Sequence, residues 1–313
     1  MIRFLVVAAL AVVLGWPFLK QAWYAFEEPR AWERVRDSRS LFEWQVAYLD
    51  VIPPERRRPE AAARLVEVQV ENHAANRDLP ALLAMRPALP PSPARDRLER
   101  GLDRVLSELD PERHPERVSP SFDPDLARAV RQLAGEEVRA GDAAVDLAIS
   151  ITPELPPQAP GSPDDVVPLE PALTPAVLAR PRAVQLFTDR MVEAGVRPFA
   201  LEPGPPRPGH PRLSIEARLR RASGLVDCAG RLLFQLELDA TVSLSARNGQ
   251  RLHAFHHTGL PAPSRHFRLR PGDPPWAGYV LMLDSCLDDL AQQLLLRLGL
   301  KARSQPGTYR FEG

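Results

Sequence analysis

Lysine is nearly absent from this chain of 313 residues: Lys20 and Lys301 are the only two, and the other 38 of its 40 basic residues are arginine. Asp and Glu also number 40, so the formal charge is zero. A chain without a basic excess lacks the electrostatic footprint of a general nucleic-acid binder, and no nucleic-acid partner is expected. The phosphate-cradling GxxxxGK[ST], a GxGxxG after a strand, the GxSxG nucleophile turn and CxxC are all missing. Their absence counts against the enzymes that depend on them. Long hydrophobic runs are missing too, with one exception at the N-terminus. At 44% hydrophobic and 26% charged residues, the chain is neither wholly disordered nor a polytopic membrane protein.

Proline, by contrast, is plentiful at 35 residues, and nine of these fall between Pro153 and Pro181. Residues 153–175 (PELPPQAPGSPDDVVPLEPALTP) show no periodicity and read as an exposed loop or spacer. Richness in Ala, Arg and Pro with so little Lys is the mark of a GC-rich bacterial genome.

The one long apolar run is residues 4–19 (FLVVAALAVVLGWPFL), 16 residues without a charge. A spanning helix takes about 20 residues, with about 17 at the short end. Trp16, Trp23 and Tyr24 are aromatic types that settle at the membrane–water boundary and extend such a span. No Cys follows the run, which excludes a lipoprotein anchor there. A cleaved signal peptide lacks a good small-x-small site near Ala22 and Ala25, so an uncleaved anchor is favoured. A buried core helix is the third reading, disfavoured because the run is apolar on every face. Arg3 precedes the run and Lys20 follows it, tilting the expectation towards N-terminus inside and the bulk of the chain outside.

Residues 30–70 predict helices. Ser38 or Ser40 serves as N-cap for a segment carrying Leu41, Trp44, Val46, Tyr48 and Leu49, and Pro53-Pro54 then breaks it. A second helix starts at Pro59, where a missing N–H costs nothing, and carries Ala61, Ala62, Leu65 and Val68. Trp32, Tyr48-Leu49, Pro53-Pro54 and Ala61-Ala62-Ala63 together resemble the helical hairpin of bacterial tetratricopeptide-like proteins. A shift of 37 residues aligns Pro53-Pro54 with Pro90-Pro91, Leu65 with Leu102 and Val68 with Val105. A true second repeat and an ordinary pair of hairpins both fit that alignment. Residues 125–138 predict a further helix with Leu126, Val130 and Leu133 on one face.

The period then changes. Val145, Leu147, Ile149 and Ile151 alternate with polar or small residues, a half-buried strand ended by Pro153. Residues 181–195 predict a helix with Val184, Phe187, Met191 and Val192 along one side, stopped at Gly195. Leu213, Ile215, Ala217 and Leu219 alternate in a strand. Leu232, Phe234, Leu236, Leu238, Ala240, Val242, Leu244 and Ala246 occupy every second position of a longer one. Asn248-Gly249 predicts a two-residue type I′ turn, which pairs Val242 with Phe255, Leu244 with His253 and Ala240 with His257. A helix over 276–298 closes the chain, with Tyr279, Leu283, Cys286, Leu287, Leu290, Leu294 and Leu298 on its core face. The expected class is α+β: an N-terminal membrane helix, a helical hairpin region, then a mostly antiparallel sheet covered by helices. The expected division is 1–26 anchor, 27–140 helical region, 141–302 α+β domain with the Pro-rich insertion 153–175, and 303–313 tail.

The helix ending in Ala194-Gly195-Val196, the strand over 213–219, the long strand before Asn248-Gly249 and the closing helix over 279–298 resemble, in topology, the small α/β domains of bacterial envelope proteins. These are the TolB N-terminal domain, penicillin-binding-protein activator lipoproteins and LptE-like transport auxiliaries. That resemblance implies an accessory or assembly role without catalytic machinery. It departs from those families in lacking a lipobox Cys and in its Pro-rich insertions.

Two residue types remain for chemistry. Cys228 and Cys286 form a possible disulfide in an oxidising compartment, or stand as two unpaired thiols. His253 and His257 share a strand face and His256 points the other way. Strand residues four apart are about 13 Å apart, too far for one metal without convergence. No catalytic, cofactor-binding or metal-binding residue is assigned. The leading expectation is a single-pass inner-membrane protein, in contact with the lipid bilayer through residues 4–19. Its bulk is periplasmic, and it binds a protein partner at or near the membrane. The alternatives are a metal-dependent hydrolase built on the His253–His257 hairpin, or a membrane-tethered cytoplasmic signalling adaptor.

Overall fold

The structure is a computed structural model that describes residues 2–110, 120–142, 144–154, 166–174, 182–205, 207–228, 230–300 and 307–311, with the side chains of residues 2–15, 17 and 173 outside that description. The chain divides into two compact units. The first comprises Met1–Asn76 and Met85–Leu102, and the second Arg77–Ala84 and Asp103–Gly313.

The first unit opens with α1 (Ile2–Val35), a single helix that passes through Pro17 and Pro29. Each proline removes one i→i−4 hydrogen bond without ending the helix. Next come α2 (Leu41–Trp44), a π-helical turn over Gln45–Leu49, and α3 (Pro59–Ala75). Ser40 is the cap of α2, its Oγ accepting the Glu43 N–H at 3.2 Å, while Ser38 accepts the Ser40 N–H instead. Pro59 sits at the first position of α3, as expected. The core of this unit is Ala31, Val35, Trp44, Tyr48, Ile52, Ala61 and Val68, with Tyr24 and Trp32 packed against it. Trp32 meets Trp44 and Tyr48 edge-on, with ring centroids 6.0 and 6.5 Å apart.

Two expectations change here. The boundary at 26/27 falls in the middle of α1, because the helix supplies both the apolar run and the first wall of the hairpin core. Tyr24, read as an interfacial aromatic, turns into that core, whereas Trp16 and Trp23 are exposed. Among the described residues no helix is long and apolar enough to cross a membrane. Most of the apolar run 4–19 lies on residues whose side chains fall outside the description.

The remaining helices are α4 (Leu79–Met85), α5 (Pro93–Glu108), α6 (Pro124–Ala140), α7 (Arg182–Glu193) and α8 (Ala277–Arg297). The strands are β1 (Ala144–Glu154), β2 (Ala200–Pro203), β3 (Arg212–Cys228), β4 (Arg231–Ser245), β5 (Arg251–Gly259), β6 (Phe267–Arg268) and β7 (Tyr309–Arg310). The main sheet has the order β2-β1-β3-β4-β5. β1 runs parallel to β2 and β3, while β3, β4 and β5 form the long antiparallel ladders. The fold is therefore α+β with a mostly antiparallel sheet. Leu213, Ile215, Ala217 and Leu219 from β3, and Leu236, Leu238, Ala240, Val242 and Leu244 from β4, are buried on one face. Each contributes roughly 1.5–3 kcal/mol on the usual transfer scale, less for alanine. α8 covers β4 and β5, α6 covers β5, and α7 packs on α8 and β2. α6, expected in the helical region, thus belongs to this sheet's cover, with Leu126, Val130 and Leu133 buried.

The hairpin keeps the expected register but not the expected turn. Val242 pairs with Phe255, Leu244 with His253 and Ala240 with His257. Gly249 has φ +81°, whereas Asn248 does not have positive φ, so the turn is not type I′. The loop closes between Ala246 and Gln250, and a register shift follows between Leu244 and Ser245 that leaves Leu252 unpaired. One extra turn residue and one bulge cancel.

Elsewhere, the alternation of β4 breaks at its start. Leu233 is buried and Leu232 is 36% exposed, in the stretch where the β3–β4 ladder carries a register shift between Arg221 and Leu225. Val192 is exposed and Ala183 and Arg190 are buried in its place on α7. β1 runs through Pro153 to Glu154; β2 pairs only with Ala144 to Leu147, so the missing N–H can face an unpaired side. Within the Pro-rich segment, Val166 bridges Leu232, and Leu169 and Ala172 are buried, so this part is packed rather than exposed. Residues 155–165 and 175 of that segment, and residues 176–181 after it, lie outside the described residues. β2 and the small β6–β7 sheet were not expected, and the latter docks the end of the tail.

Candidate functional site

The helices cover one face of the main sheet, and the opposite face carries the polar half of each alternating strand. Ser150 and Thr152 from β1, Glu216 and Arg218 from β3, Asp239 and Thr241 from β4, and His256 from β5 line an open trough there. Register builds this row: Thr152 lies beside Arg218, Arg218 beside Asp239, Glu216 beside Thr241 and Thr241 beside His256. Charges on this face are interleaved. Arg218 and Arg220 each reach Glu154 at 3.3 Å, Arg220 also reaches Asp239 at 3.1 Å, and His256 Nε2 lies 2.7 Å from Asp239. The surface offers hydrogen-bond donors and acceptors of both signs.

β5 forms the edge of the sheet, nine residues long, with no strand on its outer side among the described residues. Its histidines are each held by a different element. His253 Nε2 lies 2.9 Å from Asp123, the residue whose other oxygen caps α6. His257 Nε2 lies 3.0 Å from Asp289 of α8, and His256 faces Asp239 on the polar side. The expected split of faces is therefore observed, and the three rings converge on no common point. Among the described residues no group of three His, Cys, Asp or Glu side chains can hold a metal ion.

Cys228 and Cys286 are two separate thiols, both buried, and the possible disulfide is not formed. The reason is their placement along α8. Cys228 Sγ lies against Gly278, whereas Cys286 sits where α8 crosses Gly259. Gly278 and Cys286 are eight residues apart, about 12 Å along the helix axis, beyond the reach of an S–S bond. Burial, with a smaller contribution from Asp227, pushes the Cys228 thiol up to about 11, and burial raises Cys286 further still. Neither is an activated nucleophile.

Sequence reasoning missed the buried polar groups. Asp284, Ser285 and Asp288 lie mid-helix in α8 and are buried. Asp288 accepts from Arg190 and, at 2.7 Å, from the Tyr309 hydroxyl. Arg182 approaches Asp284 at 3.2 Å, and the Ser285 hydroxyl accepts the Ala262 N–H at 2.7 Å. Two more pairs lock strand ends. Glu137, fully buried, accepts two bonds from Arg247 at 2.7 and 2.6 Å, and Asp146 accepts from Arg207. The only sequence signal was an unusual number of arginines. No protein-family model, curated protein or solved structure matches the chain.

Proposed function

We propose that this is a single-pass, membrane-anchored envelope protein whose α+β unit binds a protein partner near the bilayer. The anchor is the apolar run 4–19, and tethering raises the effective concentration of the unit for a membrane-bound partner. The observation that carries the binding role is the β5 edge. It is long, contains no proline or lysine, and adjoins an uncovered polar face. Such edges are normally blocked unless something pairs with them. An extended segment of the partner adds to β5 by main-chain hydrogen bonds, and Thr258, His256 and Thr241 supply side-chain selectivity on the polar side.

The test is photo-crosslinking in native membranes. A crosslinking residue at Arg251 or His256 is expected to give one discrete adduct, and the same residue at Arg128 on α6 none. Adducts of equal pattern from all three positions would sink the edge-binding reading. A dual topology reporter fused after Gly313 tests the placement, and signal from the outside reporter is the expected result.

The second reading is a membrane-tethered cytoplasmic adaptor. What favours it is the pair of separate thiols at Cys228 and Cys286, since without a disulfide nothing in the chain demands an oxidising compartment. Signal from the inside reporter would select it.

A further inference from the structure

The hairpin of the first unit contains a basic turn, and its packing determines where that turn lies. Trp44 meets Trp32, and the Tyr48 hydroxyl donates to Glu28. Four residues forward on the second segment thus correspond to four residues back on α1, about 6 Å along its axis. The same progression brings Ile52 to the level of Tyr24, which packs against the cluster holding Ile52. The chain turns there, through a 3-10 turn over Pro54–Arg56, before α3 begins at Pro59. Arg58 is occupied by Glu28, its Nε donating at 2.6 Å. Arg57 folds back onto the turn, donating to the Ile52 and Leu49 carbonyls at 3.0 Å each. Arg56 is left exposed at the tip.

α1 presents a matching surface at the same level. Leu19, Trp23 and Phe26 are exposed at i, i+4 and i+7, on the side away from Tyr24, Glu28, Ala31 and Val35. Lys20 stands beside them, one turn below Tyr24. From Leu19, the end of the apolar run, to Tyr24 is five residues, about 7.5 Å of helix. The headgroup layer outside the hydrocarbon core is about 5–8 Å thick on each side.

We propose that the turn over residues 53–57 rests on the bilayer surface beside the point where α1 enters it. Arg56 and Lys20 contact phospholipid phosphates, and Trp23 lies in the headgroup layer. This rests on the anchor reading above and adds the orientation of the helical unit to it. Glu55 shares the turn, and Asp50 is bonded to Gln45, so the local positive excess is small. The contact therefore orients the unit, while the apolar run holds it. The other end of the hairpin points away: Phe42, 76% exposed, lies at the level of Arg34, about 22 Å beyond Leu19.

The test uses the full chain with Arg56→Cys or Phe42→Cys, spin-labelled. The label goes to the introduced thiol, since Cys228 and Cys286 are buried. Each protein is reconstituted into vesicles of phosphatidylcholine and phosphatidylglycerol doped with a nickel-chelating lipid. The label at position 56 is expected to lose paramagnetic-resonance amplitude to the headgroup nickel, and the label at position 42 to keep it. Lys20→Gln or phosphatidylcholine alone should reduce the loss at 56. Equal losses at both positions, or a larger loss at 42, overturn the proposal while the anchor stands. Protein that washes off the vesicles altogether overturns the anchor reading, and the orientation falls with it.

Discussion

Tyr48 and Glu28 are joined across the helical unit by a 2.8 Å hydrogen bond, the phenol donating to the carboxylate. Arg58 completes the cluster from the start of α3. Three separate segments are thereby pinned at one buried point, 20 and 30 residues apart in the chain.

This cluster sets a pH dependence. The Arg58 hydrogen bonds, reinforced by the Tyr48 hydroxyl, hold the Glu28 carboxyl below its ordinary value despite burial. A depressed carboxyl stabilises above its unfolded value, and that stability is lost as pH falls through the folded one. Burial first, and Glu28 second, push Tyr48 up to about 12. From about pH 10 upwards the unfolded chain releases the phenol proton first, so stability falls again. Glu28→Gln is expected to cost roughly 1–3 kcal/mol at neutral pH and to flatten the acid limb. Tyr48→Phe should flatten the alkaline limb. Thermal melts followed by tryptophan fluorescence across pH measure both, because Trp32 and Trp44 sit in this core.

Two glycines should respond differently to alanine. A Cβ on Gly259 would stand 2.6 Å from the Cys286 carbonyl oxygen, which is backbone and cannot move aside cheaply. Gly259→Ala should cost about 1–3 kcal/mol by forcing β5 away from α8. A Cβ on Gly249 meets nothing within 4 Å, and only its φ of +81° opposes substitution. Gly249→Ala should therefore cost about 1–2 kcal/mol and leave the edge strand in place. Amide exchange along β5 separates the two outcomes, with protection lost in the first variant alone.

Thiol titration checks the cysteines. Both are expected to be silent to a thiol reagent in the native protein and to titrate as two free thiols on unfolding without reductant. A mass lower by two hydrogens in protein isolated under native conditions would contradict the separation along α8.

Arg190 and Asp288 form a pair buried on both sides. Arg190→Met strands the Asp288 carboxylate inside the domain and should cost about 3–5 kcal/mol. Tyr309→Phe removes only one bond to the same carboxylate and should cost about 1–2 kcal/mol. Its distinctive effect is faster proteolysis at the chain end, because Tyr309 pins β7 to α8. Unchanged cleavage would show that the β6–β7 pairing alone holds the tail.

Period was the most readable signal in the sequence. The alternation from Leu236 to Leu244 and the repeat from Tyr279 to Leu294 located β4 and α8, because burial of one face imposes the pattern directly. The register at Phe255 was right although the turn was not, since the loop and the bulge at Leu252 offset each other. Strand phase failed at Leu232, where the burial pattern of β4 changes phase between Leu233 and Leu236. The pairing of Val166 with Leu232 has no local signature, nor does the partnership of Arg190 with Asp288 over 98 residues. The histidine faces were legible from strand geometry, whereas their three carboxylate partners come from α6, α8 and β4 and required the fold. The polar trough follows from the same alternation, read on the side that the apolar pattern leaves over.

The unbroken course of α1 makes it a screw gauge for the segments that follow it. One residue inserted between Leu19 and Trp23 turns everything beyond it by about 100° and lifts it about 1.5 Å. Seven restore the azimuth closely and leave the unit about 10 Å higher. On the anchoring proposed above, the bearing and altitude of the hairpin over the lipid are encoded in a residue count, the nine steps from Leu19 to Glu28.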